Sequence, residues 1–303
     1  MRRDSLVGLA AAASAGIIWG FLGPVVRGLI DLGISPMQMS CIRYIIVFAI
    51  LIVYVAVFDR DSLKTGRKAL AVMVMMGVVG TFLNSTCYFE AMGRISLSLS
   101  TVLQYIAPFI VVAMSYPLFG ERITPVKAVA VCTAFIGCIL CTGALTSPGD
   151  LDIIGISLAA LSGLFFGMYT LGSKGLSRSG LSSTTILLYS SLFCVIASAP
   201  FCGLPSALGT LASSWEAAGT MLVLGVLITL LPFWLFNYAL QKADASKVSI
   251  VTFIEPLTAT AVGLAVFGEA VDTGTAVGMA MILVSLVAVN GFGRRGDQGP
   301  SDA

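Results

Sequence analysis

Long apolar runs alternate with short polar connections from about residue 5 to residue 292. A bilayer core about 30 Å thick is crossed by roughly 20 residues of helix. On that measure the pattern predicts ten membrane-spanning helices, at about 5–26, 36–58, 69–89, 96–118, 124–144, 152–173, 183–201, 217–240, 246–267 and 273–292. Turn-rich stretches separate them, such as DRDSLKTGRK after the second run and TSPGDLD after the fifth. The expected fold is all-α and integral to the membrane, with no room for a separate soluble domain.

Composition agrees with this. The 303 residues are 57% hydrophobic and only 11% charged, where a soluble chain carries about a quarter charged residues. The start, MRRDSLVGLAAAASAG, has the basic opening of a signal peptide but no clear cleavage site, so the first run is expected to be a retained span. The chain has no histidine. That removes Ser–His and Cys–His dyads and HExxH zinc chemistry. No GxxxxGK[ST] loop occurs, so ATP-driven pumping by this chain is not expected. Cys138 and Cys141 form CxxC, but inside an apolar helix, where they read as small packing residues. No metal, no cofactor and no enzymatic activity are expected.

Lysine and arginine set the orientation. With the N-terminus inside, the inner loops and ends collect fourteen of them, namely Arg2, Arg3, Arg60, Lys64, Arg67, Lys68, Arg122, Lys127, Lys174, Arg178, Lys242, Lys247, Arg294 and Arg295; the outside receives Arg27 and Arg94, and Arg43 falls within a span. Both termini are therefore expected in the cytoplasm, in a multi-pass protein of the plasma (bacterial inner) membrane. The tail, 294–303, is short and polar.

The chain also contains itself twice. YIAPFIVVAMSYPLFGE (105–121) matches FIEPLTATAVGLAVFGE (253–269), pairing Pro108 with Pro256 and the two FGE ends. GIIWGFLGPVVRGLIDLGIS (16–35) matches GLFFGMYTLGSKGLSRSGLS (163–182), pairing Gly16 and Gly20 with Gly163 and Gly167, and Arg27 with Lys174. Two halves follow, 1–145 and 146–293, of five spans each. Five is odd, so the second half enters from the opposite side. Inverted repeats of this kind are a hallmark of secondary transporters. The GxxxG spacing recurs at matched positions and allows close helix approach.

On these residues the chain resembles the drug/metabolite transporter superfamily, in its EamA-type branch. The resemblance covers nearly the whole chain. It rests on the two five-span halves, WG at 19–20, CIRYII at 41–46, FIEP at 253–256 and the FGE ends at 119–121 and 267–269. It implies a carrier of small metabolites, often an exporter of amino acids or related compounds, with a central cavity between the halves. A channel or a non-transporting scaffold is the alternative, and a membrane-embedded enzyme the remotest one.

Two charges break the duplication. Glu255 aligns with Ala107, and Arg43 with Ser190. Glu255 lies about nine residues into its span, roughly 14 Å deep, and Arg43 roughly 10 Å deep. A charge at membrane centre costs about 2.5–3.5 kcal/mol, so each must face protein or water and find a partner. Three roles stand open for Glu255: a brace in an ion pair or hydroxyl cage, a proton-exchanging carboxylate, or a contact for a cationic part of the substrate. Arg43 reads as a brace or as a site for a substrate carboxylate. Further cavity candidates are the amides and hydroxyl at membrane depth, Asn84, Gln104, Asn237 and Thr252, with Trp19, Tyr88, Tyr105, Phe166, Tyr169 and Tyr238. Pro108 and Pro256 are expected to kink their helices. The expected partners are a small-molecule substrate, protons as a candidate coupling ion, the lipid bilayer and, as an option, a second copy of the chain; nucleic acid is not expected.

Overall fold

A computed structural model describes residues 2–143, 152–267 and 272–291. The expected tail and the second copy's Gly268 and Glu269 lie outside the described residues. Among the described residues, six helices are long and apolar enough to cross a membrane: α1 (Arg3–Asp31), α2 (Pro36–Phe58), α3 (Arg67–Met92), α4 (Ser98–Phe119), α6 (Ile153–Arg178) and α9 (Trp215–Lys242). Three shorter apolar helices are α5 (Pro125–Cys141), α7 (Ser183–Ser198) and α12 (Thr273–Gly291). Two further pieces, α10 (Ala245–Val251) and α11 (Ile254–Phe267), lie where the ninth apolar run was expected. A short helix, α8 (Leu204–Ser213), occupies what read as a connection.

Local chemistry marks the helix starts. Ser35 caps α2 in a reciprocal box with Gln38, and Pro36 follows at the first helical position, where its missing N–H costs nothing. Thr124, Asp152, Ser182 and Ser214 cap α5, α6, α7 and α9 with their side-chain oxygens. The stop after α4 is equally local. Gly120 takes a left-handed conformation (φ 70°), and the amides of Gly120 and Glu121 turn back to the carbonyls of Tyr116 and Ser115.

The tertiary contacts exchange the two halves. α1 packs on α9, and its counterpart α6 packs on α3; α2 pairs with α7, and α5 with α12. The first helix of each half thus sits against the other half. The recurring glycines make this contact. A Cβ on Gly16 would lie 2.5 Å from Ile254 Cγ2 and 3.3 Å from the Thr252 carbonyl. A Cβ on Gly163 would lie 2.6 Å from the Gln104 carbonyl oxygen. Gly278 and Gly137 serve α12 and α5 in the same way, each facing the other's backbone carbonyl at 2.6 and 2.9 Å. Without side chains here, backbones approach closely and dispersion replaces the hydrophobic drive that lipid cannot supply.

Both fourth segments are broken at matched places. The helix resets at Tyr105, and again between α10 and α11 at Thr252–Phe253. Each break stands three or four residues before a proline, so Pro108 and Pro256 lie in the first turn of the second piece rather than at the bend. The reason is the lost donor: a proline cannot bond the carbonyl four residues back, which is Gln104 for Pro108 and Thr252 for Pro256. The Thr252 carbonyl is satisfied instead by the Tyr105 hydroxyl at 3.1 Å and the Glu255 amide at 3.0 Å. α3 and α9 also carry matched wide turns, at Met76–Leu83 and Val226–Leu230, the π geometry that often accompanies functional sites.

Candidate functional site

The two breaks face each other across the contact between the halves, and a cavity opens beside them. It is lined by Trp19 and Leu22 of α1, Arg43 of α2, Asn84, Ser85, Tyr88 and Phe89 of α3, and Gln104, Tyr105, Ala107 and Pro108 of α4. Phe166 of α6, Ile228 and Phe233 of α9, Thr252, and Glu255 of α11 complete it. The wall is mostly apolar, with a few convergent polar groups, as small-molecule sites usually are. Its volume is about 70 Å³. That holds several waters, and is far below the roughly 300–1,000 Å³ of ligand pockets.

The two unduplicated charges occupy this one cavity without pairing. Glu255 is half-buried; the Tyr105 hydroxyl lies 3.0 Å from its Oε2. Tyr105 is held in turn by stacking on Phe253, with ring centres 4.5 Å apart. Arg43 is buried. Its guanidinium donates to Ser85 Oγ and lies over the rings of Tyr44 and Phe89, at 4.8 and 5.0 Å. Its Nε–H has no partner among the described residues. Among the described residues, neither Arg43 nor Glu255 takes part in an ion pair.

Beside these charges, two of the lining polar groups find partners in the protein. Asn84 donates to the Ser162 carbonyl at 2.7 Å, tying α3 to α6, and Tyr88 pairs with Thr101 at 3.0 Å. Trp19 forms an edge-on aromatic corner with Phe166 and Phe233, at 6.0 and 5.2 Å between ring centres. Of the residues singled out in the sequence, Trp19, Arg43, Asn84, Tyr88, Gln104, Tyr105, Phe166, Thr252 and Glu255 line the cavity.

Tyr169, Asn237 and Tyr238 do not line it. Tyr169 and Asn237 bond each other in a buried pair, Nδ2 to hydroxyl at 2.9 Å, and Ser173 donates to Asn237 Oδ1 at 2.6 Å. Tyr238 stacks on the half-exposed Trp234. Asn237→Leu is expected to lower the melting temperature, because it strands the buried Tyr169 and Ser173 hydroxyls at about 1–3 kcal/mol each. Ligand affinity measured on the same protein should stay at the wild-type value. Ser85, Phe89 and Phe233 were not singled out. Ser85 carried a readable signal, as the middle of three consecutive polar residues, Asn84–Thr86, in the apolar run FLNSTCYF; Phe89 and Phe233 carried none beyond hydrophobicity.

Cys138 is buried, and Cys141 Sγ lies 3.0 Å from Thr260 Oγ1. Among the described residues no cluster of three metal-binding side chains occurs.

Comparison with known proteins accords with this architecture. The chain matches the EamA-like transporter family twice, over residues 6–143 and 153–291. An uncharacterized transporter of Archaeoglobus fulgidus is 28% identical over 291 residues, spanning 92% of this chain and 95% of its own. A second from the same organism is 25% identical over 258 residues, 84% of this chain and 89% of its own. The pseudopaline exporter CntI of Pseudomonas aeruginosa is 24% identical over 233 residues, 76% and 78%. A solved crystal structure, 18% identical, superposes with a TM-score of 0.77 over 98% of this chain and 99% of the other, which speaks to the fold alone. With its two matched halves, its apolar helices and the cavity between them, the chain belongs to the EamA-like transporter family, part of the drug/metabolite transporter superfamily.

Proposed function

We propose that the protein is a secondary carrier. It moves a small metabolite, an amino acid or a related compound, out of the cell across the plasma membrane by alternating access. The observation that carries this reading is the cavity itself: two opposite, unpaired charges and an aromatic corner in a space too small for a metabolite until the halves part. Desolvating a charge without a counter-charge is costly, so a site in which Arg43 and Glu255 have only neutral partners among the described residues is suited to a ligand that supplies both counter-charges. A carboxylate meets the guanidinium of Arg43, a cationic group meets Glu255, and an apolar portion meets Trp19, Phe166 and Phe233. Tyr105 links Glu255 to the broken backbone at Thr252, so occupancy of the site is felt at the helix break.

In this reading the matched halves, 1–145 and 146–293, form ten spans inverted across the membrane, with both termini inside. The duplicated packing lets the molecule close at one end while opening at the other. Protons, exchanged on Glu255, are the coupling ion most in keeping with its position. Export is the direction supported by the likeness to the pseudopaline exporter.

The test is a thermal-stability screen of the purified protein against amino acids, aromatic amines, purines and sugars at two pH values. A ligand bound by the folded state alone stabilises it by mass action, by about 2.7 kcal/mol at a hundredfold excess over its Kd, and so raises the melting temperature. Zwitterionic compounds should stabilise the protein, and counterflow of the best of them in vesicles should saturate. Flux that rises linearly with concentration would instead mark a channel, and stabilisation without any flux would mark a receptor.

A further inference from the structure

Charges that the cavity does not use gather at the end of the bundle where α1 begins. There Glu121, buried beyond the left-handed turn at Gly120, receives three donors from the other half: the amides of Ala245 and Ser246, at 2.9 and 3.1 Å, and the Ser246 hydroxyl at 2.8 Å. Lys127, almost wholly buried at the start of α5, reaches Asp244 at 3.4 Å, just before α10. Burial pushes the Asp244 carboxyl up, but Lys127 and Lys247 beside it outweigh this and hold it below the usual carboxylate range. Lys174 donates to the carbonyls of Leu240 and Ala243, at 2.8 and 2.7 Å. Arg178 donates to the Phe119 carbonyl, across the halves, at 2.8 Å.

The repeat makes these contacts informative, because the opposite end cannot copy them all. At the constant offset of the second copy, Thr275 stands where Lys127 does and Ser96 where Asp244 does. The structure honours that alignment: Thr124 caps the Lys127 amide, and Asp272 caps the Thr275 amide. The Lys127–Asp244 pair is therefore particular to one end, where it adds a buried cation; the opposite end carries the more exposed pair Arg94–Asp152 across the halves, at 3.2 Å. The first helices differ in the same sense. α6 runs unbroken to Arg178 with Lys174 buried, whereas α1 resets at Gly20–Phe21 and its matching cation, Arg27, is exposed.

We propose that Glu121, Lys127 and Asp244 form a latch across the two halves that makes closure of this end the resting state of the carrier. The proposal rests on the alternating-access reading and adds which closure the chain favours unloaded. To admit solute from this end, α10 must part from α4 and α5, and that breaks the bonds to Glu121 and Lys127 together. α10 is also the lever of the site. It has seven residues and ends at Thr252, whose carbonyl holds Tyr105 against Glu255. Release of the latch is thus transmitted to the cavity through one short helix.

Hydrogen exchange on the purified full-length protein, read by mass spectrometry, tests this without knowledge of the substrate. In Asp244→Asn, the amides of α10 should exchange about fivefold faster or more, the low end of couplings between linked sites. The amides of 22–31 at the opposite end should exchange more slowly, because the same population shift closes that end. Asp244→Glu, which keeps the pair, should behave as wild type. Glu121→Gln gives the same readout should Asp244→Asn fail to fold. Faster exchange of α10 with no slowing at 22–31 would make the contacts a brace only, and unchanged exchange would remove the latch; either overturns the proposal. Wild-type counterflow is scored separately, so loss of the latch leaves the carrier reading standing, and absent counterflow removes the carrier reading whatever the exchange pattern.

Discussion

In a Glu255→Gln protein, stabilisation by a zwitterionic ligand is expected to collapse while the fold persists. The substitution keeps the shape and the contact with Tyr105, since the amide oxygen still accepts from the hydroxyl 3.0 Å away. It removes only the charge. Losing one partner of a desolvated charge contact costs about 2–5 kcal/mol of binding, or roughly 30-fold to several thousandfold in affinity at 1.4 kcal/mol per factor of ten. Because no cationic side chain pairs with Glu255 among the described residues, no stranded protein charge offsets the change. Thermal shift and counterflow with the best ligand of the screen measure it. Arg43→Gln should cost as much for a carboxylate-bearing ligand and little for the same compound as its amide or ester. If affinity, flux and their pH dependence are unchanged in Glu255→Gln, the carboxylate neither binds substrate nor carries a proton, and it is a brace.

The second large effect is expected at Gly163, and it is an effect on stability. Any Cβ there falls 2.6 Å from the Gln104 carbonyl oxygen and 3.1 Å from that of Leu103. Both neighbours are backbone at the helix break, so neither can rotate away. Gly163→Val adds two further carbons to that contact and should destabilise by about 3 kcal/mol, the upper part of the usual range for overpacking. Gly28→Val is the control, because a Cβ at Gly28 meets nothing within 4 Å. The melting temperatures of the two variants in one detergent decide the matter. Equal melting would mean that the first helix does not press on the broken helix of the other half. Gly16→Val should resemble Gly163→Val in kind, because a Cβ there lies 2.5 Å from Ile254 Cγ2, a branch methyl on a side chain whose χ1 is stiff in a helix, and 3.3 Å from the Thr252 carbonyl.

Much of the site could be read from the chain, and the reason is the expense of polarity in lipid. Glu255 and Arg43 stand at depth in apolar runs and have no copy in the other half, which sets them apart from the duplicated framework. Both line the cavity. Depth alone was a poorer guide for uncharged groups. Asn84 and Asn237 looked alike in sequence, yet Asn84 lines the cavity and Asn237 is locked to Tyr169 and Ser173. An amide can be satisfied by a hydroxyl on any neighbouring helix, and only the neighbour's identity tells which. The aromatic corner shows the same limit: Phe166 and Tyr169 are three residues apart on α6, and only one reaches the cavity. The helix breaks were anticipated from Pro108 and Pro256 but lie a turn earlier, because the missing donor loosens the carbonyl four residues back.

By itself the sequence determined the membrane-embedded helical class, the duplication and the two charges that depart from it. Each of these follows from one-dimensional facts: the length of apolar runs, the spacing of repeated residues and the cost of charge in hydrocarbon. Only the tertiary structure decided what meets what. The first helix of each half crosses to the other half, so Gly16 rests on Thr252 and Gly163 on Gln104, and Glu121 receives the first amides of α10. Those neighbours lie far apart in the chain and are selected by close backbone packing, to which glycines contribute only the absence of a side chain, a signal that names no partner.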